Sequence, residues 1–133
     1  MAIHPGHEFR TAFASRWGLY EFTVMPFGLV NAPSTFQRLI NDVFRGILDH
    51  FVTVYLDDIL VFSRTAEEHE RHLREVFERL RAHQLYAKKK KCAFGLRQVE
   101  YLGHLIDEYG VRPDPAKVTA VVDWPTPSGV RDI

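Results

Sequence analysis

Apolar residues recur at steps of three and four through Phe36, Leu39, Ile40, Val43, Phe44, Ile47 and Leu48, a spacing that lines one side of a helix. The pattern predicts a helix over 34–48 whose apolar face meets a core. Asn31-Ala32-Pro33-Ser34 stands at its start, offering capping side chains and a proline suited to a first helical turn. A second stripe, Leu73, Val76, Phe77 and Leu80, predicts a helix over 67–83, opened by the capping-box pattern Thr65-Ala66-Glu67-Glu68. Glu67 with Arg71, Glu70 with Arg74 and Glu75 with Arg79 lie four apart in the favourable order, so the outer face of this helix is expected to be solvated.

Dense apolar runs over 51–56 and 59–62, rich in β-branched and aromatic residues, are parted only by Asp57-Asp58 and predict a hairpin with an acidic tip. Shorter runs over 9–15 and 19–24 predict another hairpin, turning at Trp17-Gly18, where glycine can take a positive φ. Pro26-Phe27-Gly28 ends that pattern. Towards the C-terminus, 99–106 reads as one strand that turns through Asp107-Glu108-Tyr109-Gly110, with a short return through Val111. Asp114-Pro115-Ala116-Lys117 opens a further short helix, which Trp124-Pro125-Thr126-Pro127 ends.

With 133 residues, 46% of them hydrophobic, the chain has the size and apolar content of one folded domain. Seventeen basic residues balance seventeen acidic ones, which excludes nucleic-acid binding by bulk charge and leaves local clusters such as Lys88-Lys89-Lys90-Lys91. A single cysteine, Cys92, rules out an intrachain disulfide and a cysteine-based zinc site. The opening Met-Ala-Ile-His-Pro-Gly-His lacks the pattern of a signal peptide and no apolar run is bilayer-length, so a soluble intracellular protein is expected. His69 and His72 have a spacing open to a metal but no completing ligands, and read as surface residues of the second helix.

Asp57-Asp58 needs a separate explanation. Two-residue hairpin turns favour Asn-Gly or Asp-Gly, whereas adjacent carboxylates repel each other, a repulsion that a cation relieves. Magnesium takes oxygen ligands, commonly one or two carboxylates together with substrate phosphates, and paired metals about 4 Å apart serve phosphoryl transfer. Taken alone, a bare Asp-Asp reads first as a solvated turn. Its surroundings reverse that reading.

Tyr55-Leu56-Asp57-Asp58, within Phe51-Val52-Thr53-Val54-Tyr55-Leu56-Asp57-Asp58-Ile59-Leu60-Val61-Phe62-Ser63, resembles the catalytic hairpin of reverse transcriptases. The run from Val24-Met25-Pro26-Phe27-Gly28 through Asn31-Ala32-Pro33-Ser34-Thr35-Phe36-Gln37 resembles the loop and helix beneath the incoming nucleotide and template, in the form typical of gypsy-type LTR retrotransposons. Lys91-Cys92-Ala93-Phe94 and Tyr101-Leu102-Gly103-His104 resemble the family's lysine motif and primer grip, and Asp123-Trp124-Pro125-Thr126-Pro127 the passage towards a thumb.

The resemblance implies an α+β fold: a palm-like antiparallel sheet bearing Asp57-Asp58, backed by the helices over 34–48 and 67–83, with a fingers-side β-hairpin in front. It implies a partial fingers and palm domain over 1–125 and the start of a connection to a thumb over 126–133. Asp57 is implied as a metal ligand, Asp58 as its weaker or outer companion, and Lys91 as a cation near the triphosphate. Phe27, Gly28, Asn31 and Gln37 are implied at the nucleotide and template, and Leu102, Gly103 and His104 at the primer terminus. The implied cofactor is Mg2+, with Mn2+ second. The implied partners are an RNA or DNA template with primer and dNTP, together with the remaining fingers, thumb and RNase H parts of a polyprotein, in a cytoplasmic virus-like particle or the nucleus. Family polymerases carry another metal-binding aspartate on a strand upstream of the segment resembling 3–13, so the 133 residues alone are expected not to extend a primer. Two rival readings are a domesticated or decayed domain that binds nucleic acid or protein, and a structural helper whose acidic hairpin has no role.

Overall fold

The computed structural model describes residues 1–126 and residue 129; Pro127 and the neighbouring part of 126–133 lie outside the described residues. The chain divides into two compact units, Met1–Ile59 and Leu60–Ile133. Its described elements are α-helices and antiparallel sheets, an α+β fold.

In the first unit a 3-10 turn at Glu8–Thr11 leads into strands β1 (Phe13–Ser15) and β2 (Gly18–Tyr20), paired with Phe13 opposite Tyr20 and Ser15 opposite Gly18. The hairpin is shorter than the expected 9–15 and 19–24. Thr11 explains the early stop: its hydroxyl donates to Glu8 O at 2.7 Å, closing the 3-10 turn, and accepts from Phe22 N–H at 2.8 Å, taking that amide away from a strand ladder. Phe13 stays in aromatic contact with Tyr20 and Phe22, ring centroids 5.9 and 5.2 Å apart.

Helix α1 spans Ala32–Val43, not 34–48. Pro33 lies in its first turn, but Asn31 caps it with no side-chain hydrogen bond; the Asn31 carbonyl accepts instead from the amide and hydroxyl of Thr35 and the hydroxyl of Ser34. Beyond Val43 the chain leaves the helix in turns through Gly46, whose φ of 84° is open to glycine without a Cβ clash. Phe44 and Ile47 are nonetheless buried with Ala32, Ile40, Val43 and Val52. The apolar period extends past the helix because it marks burial, which a turn also provides. The core positions β3 (Val52–Tyr55), which forms a two-stranded sheet with β4 (Asp58–Val61).

In the second unit α2 spans Ala66–Ala82 and buries Val76 and Leu80. Thr65 is its N-cap, the hydroxyl accepting from Glu68 N–H at 3.2 Å, while the Glu68 carboxylate accepts from Arg64 N–H. Hydrogen bonds from its own backbone and from Thr65, then the nearby Arg71, hold the Glu67 carboxyl below its ordinary range and keep a negative charge at the helix's positive end. Glu70 with Arg74 and Glu75 with Arg79 form the expected ion pairs on the exposed side. In the hairpin strands and just beyond them, Phe51, Val54 and Leu60 are half-buried, whereas Phe62 is 43% exposed.

The segment expected as one strand over 99–106 is two: β5 (Val99–Tyr101) and β6 (His104–Asp107), with β7 (Gly110–Pro113) completing a three-stranded antiparallel sheet. Leu102 and Gly103 both take positive φ, 51° and 74°, the geometry of a tight two-residue hairpin turn. Helix α3 (Pro115–Val122) follows, capped by the Asp114 carboxylate, which accepts from Ala116 N–H at 2.9 Å. None of the described helices is long and apolar enough to cross a membrane.

Candidate active site at the acidic hairpin

β3 and β4 are joined by the two residues Leu56 and Asp57, so the turn brings Asp57 and Asp58 to the tip. Both are exposed, as a role in meeting ions or phosphates requires. Leu56 takes a φ of 49°, a left-handed conformation that costs a non-glycine residue about 1–2 kcal/mol. The cost is carried by an unusual amount of local bonding.

Gln37, on α1, supplies that bonding. Its Oε1 accepts from Leu56 N–H at 2.7 Å and its Nε2 donates to the Val54 carbonyl at 3.3 Å. Nε2 also donates to Oδ1 of Asn41, one helical turn further on, at 2.8 Å. A helix side chain therefore grips the backbone on the approach to the acidic tip, and its amide is engaged with protein partners at both ends.

The donor set at the tip consists of oxygens, which suits a hard divalent cation. Among the described residues no group of three or more His, Cys, Asp or Glu side chains is placed to hold a metal, so the tip offers the two carboxylates of Asp57 and Asp58 and no larger donor cluster.

The other expected site residues are spread along both units. In the first, Phe27 is fully exposed and Gly28 takes a φ of 98°, following Pro26 in an open turn ahead of α1, while Asn31 is exposed at the start of that helix. In the second, Lys91 ends a 3-10 turn, Lys89–Lys91, that exposes all three lysines. That turn is tied down by Cys92, whose thiol donates to Lys88 O at 3.4 Å, and by Phe94, which meets Phe77 of α2 at 6.2 Å between ring centroids. Leu102 and Gly103 form the β5–β6 turn, and His104 opens β6 with its Nδ1 3.1 Å from Leu102 O. The Lys117 side chain of α3 lies against Gly103, filling the space a Cβ there would need.

A family model described as reverse transcriptase (RNA-dependent DNA polymerase) matches residues 4–106. This chain belongs to the reverse transcriptase family. It is 41% identical over 124 residues to the retrovirus-related Pol polyprotein from transposon 297 of Drosophila melanogaster, covering 93% of this chain and 12% of the relative. It is 32% identical over 131 residues to the transposon Tf2-3 polyprotein of Schizosaccharomyces pombe, covering 98% of this chain and 10% of that one. Among solved structures, a foamy viral protease-reverse transcriptase in complex with dsDNA aligns with a TM-score of 0.86 at 25% identity, over 98% of this chain and 27% of the other. The same kind of enzyme in complex with an RNA/DNA hybrid aligns with a TM-score of 0.81. The chain thus spans about an eighth or less of the polyproteins it matches, as a segment of their reverse transcriptase part.

Sequence reasoning missed two features of this reverse transcriptase segment. Asn41 carries no motif; its one signal is the four-residue step from Gln37, which puts two amide side chains on the same helix face. His69 and His72, read as surface residues, are half-buried, with their Nδ1 atoms 3.2 and 2.7 Å from the Ser63 hydroxyl. They join α2 to the end of the hairpin within the second unit.

Proposed function

We propose that this segment supplies the metal-binding hairpin of an RNA-directed DNA polymerase, which adds deoxynucleotides to a primer paired with an RNA or DNA template. The observation that carries the reading is the pair of exposed carboxylates, Asp57 and Asp58, at the tip of a backbone-clamped hairpin inside a reverse transcriptase segment. The foamy viral relatives in complex with dsDNA and with an RNA/DNA hybrid support nucleic acid as the partner.

Divalent metal, Mg2+ first and Mn2+ second, supplies charge neutralisation at the reacting phosphate and activation of the primer 3′-hydroxyl when bound. The chain's own residues place and neutralise. Asp57 is the direct ligand and Asp58 its companion, and their oxygens match the ion's hardness. The exposed Lys91 ammonium offsets charge on the departing pyrophosphate, an electrostatic contribution to the transition state. Gly28 permits close approach of the nucleotide and templating base beside Phe27 and Asn31, because no Cβ intervenes. Leu102, Gly103 and His104 hold the primer terminus through the tight β5–β6 turn.

The test is primer extension on an oligo(rA) template, using this segment in frame with the flanking chain that supplies the rest of the polymerase. Oligo(dT) is expected to grow with dTTP and Mg2+ and to stop with EDTA. The 133 residues alone, in which Asp57 and Asp58 would be the carboxylates available to the metals, are expected not to elongate. Failure of the flanked protein to make template-dependent product overturns the reading.

A further inference from the structure

We propose that Asn41 and Gln37 are positioning residues for the acidic tip, with Asn41 bracing the Gln37 carboxamide as it grips both sides of the Leu56 turn. The proposal rests on the polymerase reading for its functional consequence and on geometry alone for the clamp.

A carboxamide can be turned over, exchanging its oxygen and nitrogen, and the two orientations are distinguished by their partners. Gln37 faces one backbone donor, Leu56 N–H, and one backbone acceptor, the Val54 carbonyl. It also faces the side-chain oxygen of Asn41. With Oε1 towards Leu56, all three contacts are donor to acceptor, and both Nε2 hydrogens are used. Turned over, the Gln37 oxygen would meet the Val54 carbonyl, and its nitrogen would meet the Leu56 N–H. Asn41, whose own carboxamide can turn over as well, does not choose that orientation; the two backbone partners do, and the Asn41 Oδ1 contact braces the Gln37 Nε2 in place without touching the hairpin through any of these bonds.

Leu56 is where that hold matters. It immediately precedes Asp57, and its left-handed φ of 49° is unfavourable for a residue with a side chain. Losing the acceptor for Leu56 N–H frees the turn to relax to more ordinary backbone angles, and relaxation at residue 56 reorients the Asp57 carboxylate that follows. Both clamp residues lie on α1, whose buried face is anchored by Ile40, Val43 and the adjoining Phe44. The tip is thus referenced to the core of the first unit. A site built from a few ligands loses function when its support lets it drift by an ångström, which gives an indirect residue a direct effect on rate.

Two measurements test the inference separately from the polymerase reading. The first is Leu56 amide hydrogen exchange by NMR in the 133-residue chain, with circular dichroism reporting the fold of each variant. Gln37→Leu is expected to exchange at least about tenfold faster than the unsubstituted chain, because a lost partner worth about 1.4 kcal/mol corresponds to that factor. Gln37→Glu, which keeps an acceptor, is expected to retain most protection. Asn41→Leu should fall between, and Asn41→Asp, which keeps the acceptor for Gln37 Nε2, should restore protection. Unchanged Leu56 exchange in folded Gln37→Leu and Asn41→Leu overturns the clamp. If Gln37→Leu does not fold, Asn41→Leu against Asn41→Asp decides the point.

The second is single-nucleotide incorporation by the flanked polymerase. Positioning predicts that Asn41→Leu lowers kcat about tenfold with the dNTP KM within twofold, and that Asn41→Asp recovers kcat. A raised KM with unchanged kcat would make the pair part of the nucleotide-binding surface and overturn the positioning role. Loss of elongation in Asp57→Asn tests the polymerase reading independently of either residue.

Discussion

Asp57→Asn lowers the elongation rate of the flanked polymerase by about 10³-fold or more, measured as single-nucleotide incorporation with Mg2+. A bound cation contributes several kcal/mol of charge stabilisation to phosphoryl transfer, and each 1.36 kcal/mol is a factor of ten in rate. Asparagine has nearly the volume of aspartate but no charge, so it weakens the ion's hold with little change in shape. The hairpin itself survives the change, because Gln37 holds it through backbone atoms at Val54 and Leu56. Leu56 amide protection is therefore expected to be unaltered in this variant. Asp58→Asn costs less, in keeping with its place as the companion ligand. Elongation within tenfold of the unsubstituted enzyme in Asp57→Asn contradicts the assignment.

Phe44→Ala destabilises the chain by about 3–5 kcal/mol, the range for removing a large aromatic side chain from a close-packed core. Phe44 has no exposed surface and is packed in the same unit as Ile40, Val43 and Val52, so the vacated volume cannot be filled by water at low cost. Against a typical domain stability of about 5–15 kcal/mol, this is a large fraction. The urea midpoint should fall by about 2 M for a slope of about 2 kcal/mol per molar. Phe27→Ala is the control: its fully exposed ring contributes little to folding, and the stability change should stay within about 0.5 kcal/mol. A Phe44→Ala loss below about 1 kcal/mol would mean that the end of α1 does not anchor the core.

These two phenylalanines mark how far the fold could be read from the chain. The period through Phe36, Leu39, Ile40 and Val43 located α1 because helix and burial coincide there. At Phe44 and Ile47 they separate, since Gly46 turns the backbone while the core keeps the side chains, and apolar spacing alone does not distinguish the two. The hairpin at 9–15 was overextended for a different reason, a threonine hydroxyl that competes for backbone partners. The strand over 99–106 hid its turn because Leu102 at positive φ is disfavoured by its side chain, leaving Gly103 as a lone signal.

At the site, the acidic tip was legible because adjacent aspartates between apolar strands are chemically conspicuous. Gln37 was legible as a motif residue but not in what it touches. Its partners at Val54 and Leu56 lie 17 and 19 residues away, a separation that no local period encodes. Asn41 and the convergence of His69 and His72 on Ser63 were invisible for the same reason: the spacings were present, but the third partner came from tertiary structure.

Iron-directed cleavage tests most directly whether the Asp57-Asp58 tip holds the metal used for DNA synthesis. Fe2+ is exchanged for Mg2+ in the flanked polymerase, and ascorbate with peroxide then cuts the backbone close to the bound ion. The expected result is a cut centred on Tyr55-Leu56-Asp57-Asp58, suppressed by excess Mg2+ and lost in Asp57→Asn. Cleavage confined to other parts of the chain, or undiminished at the tip in Asp57→Asn, would contradict the account.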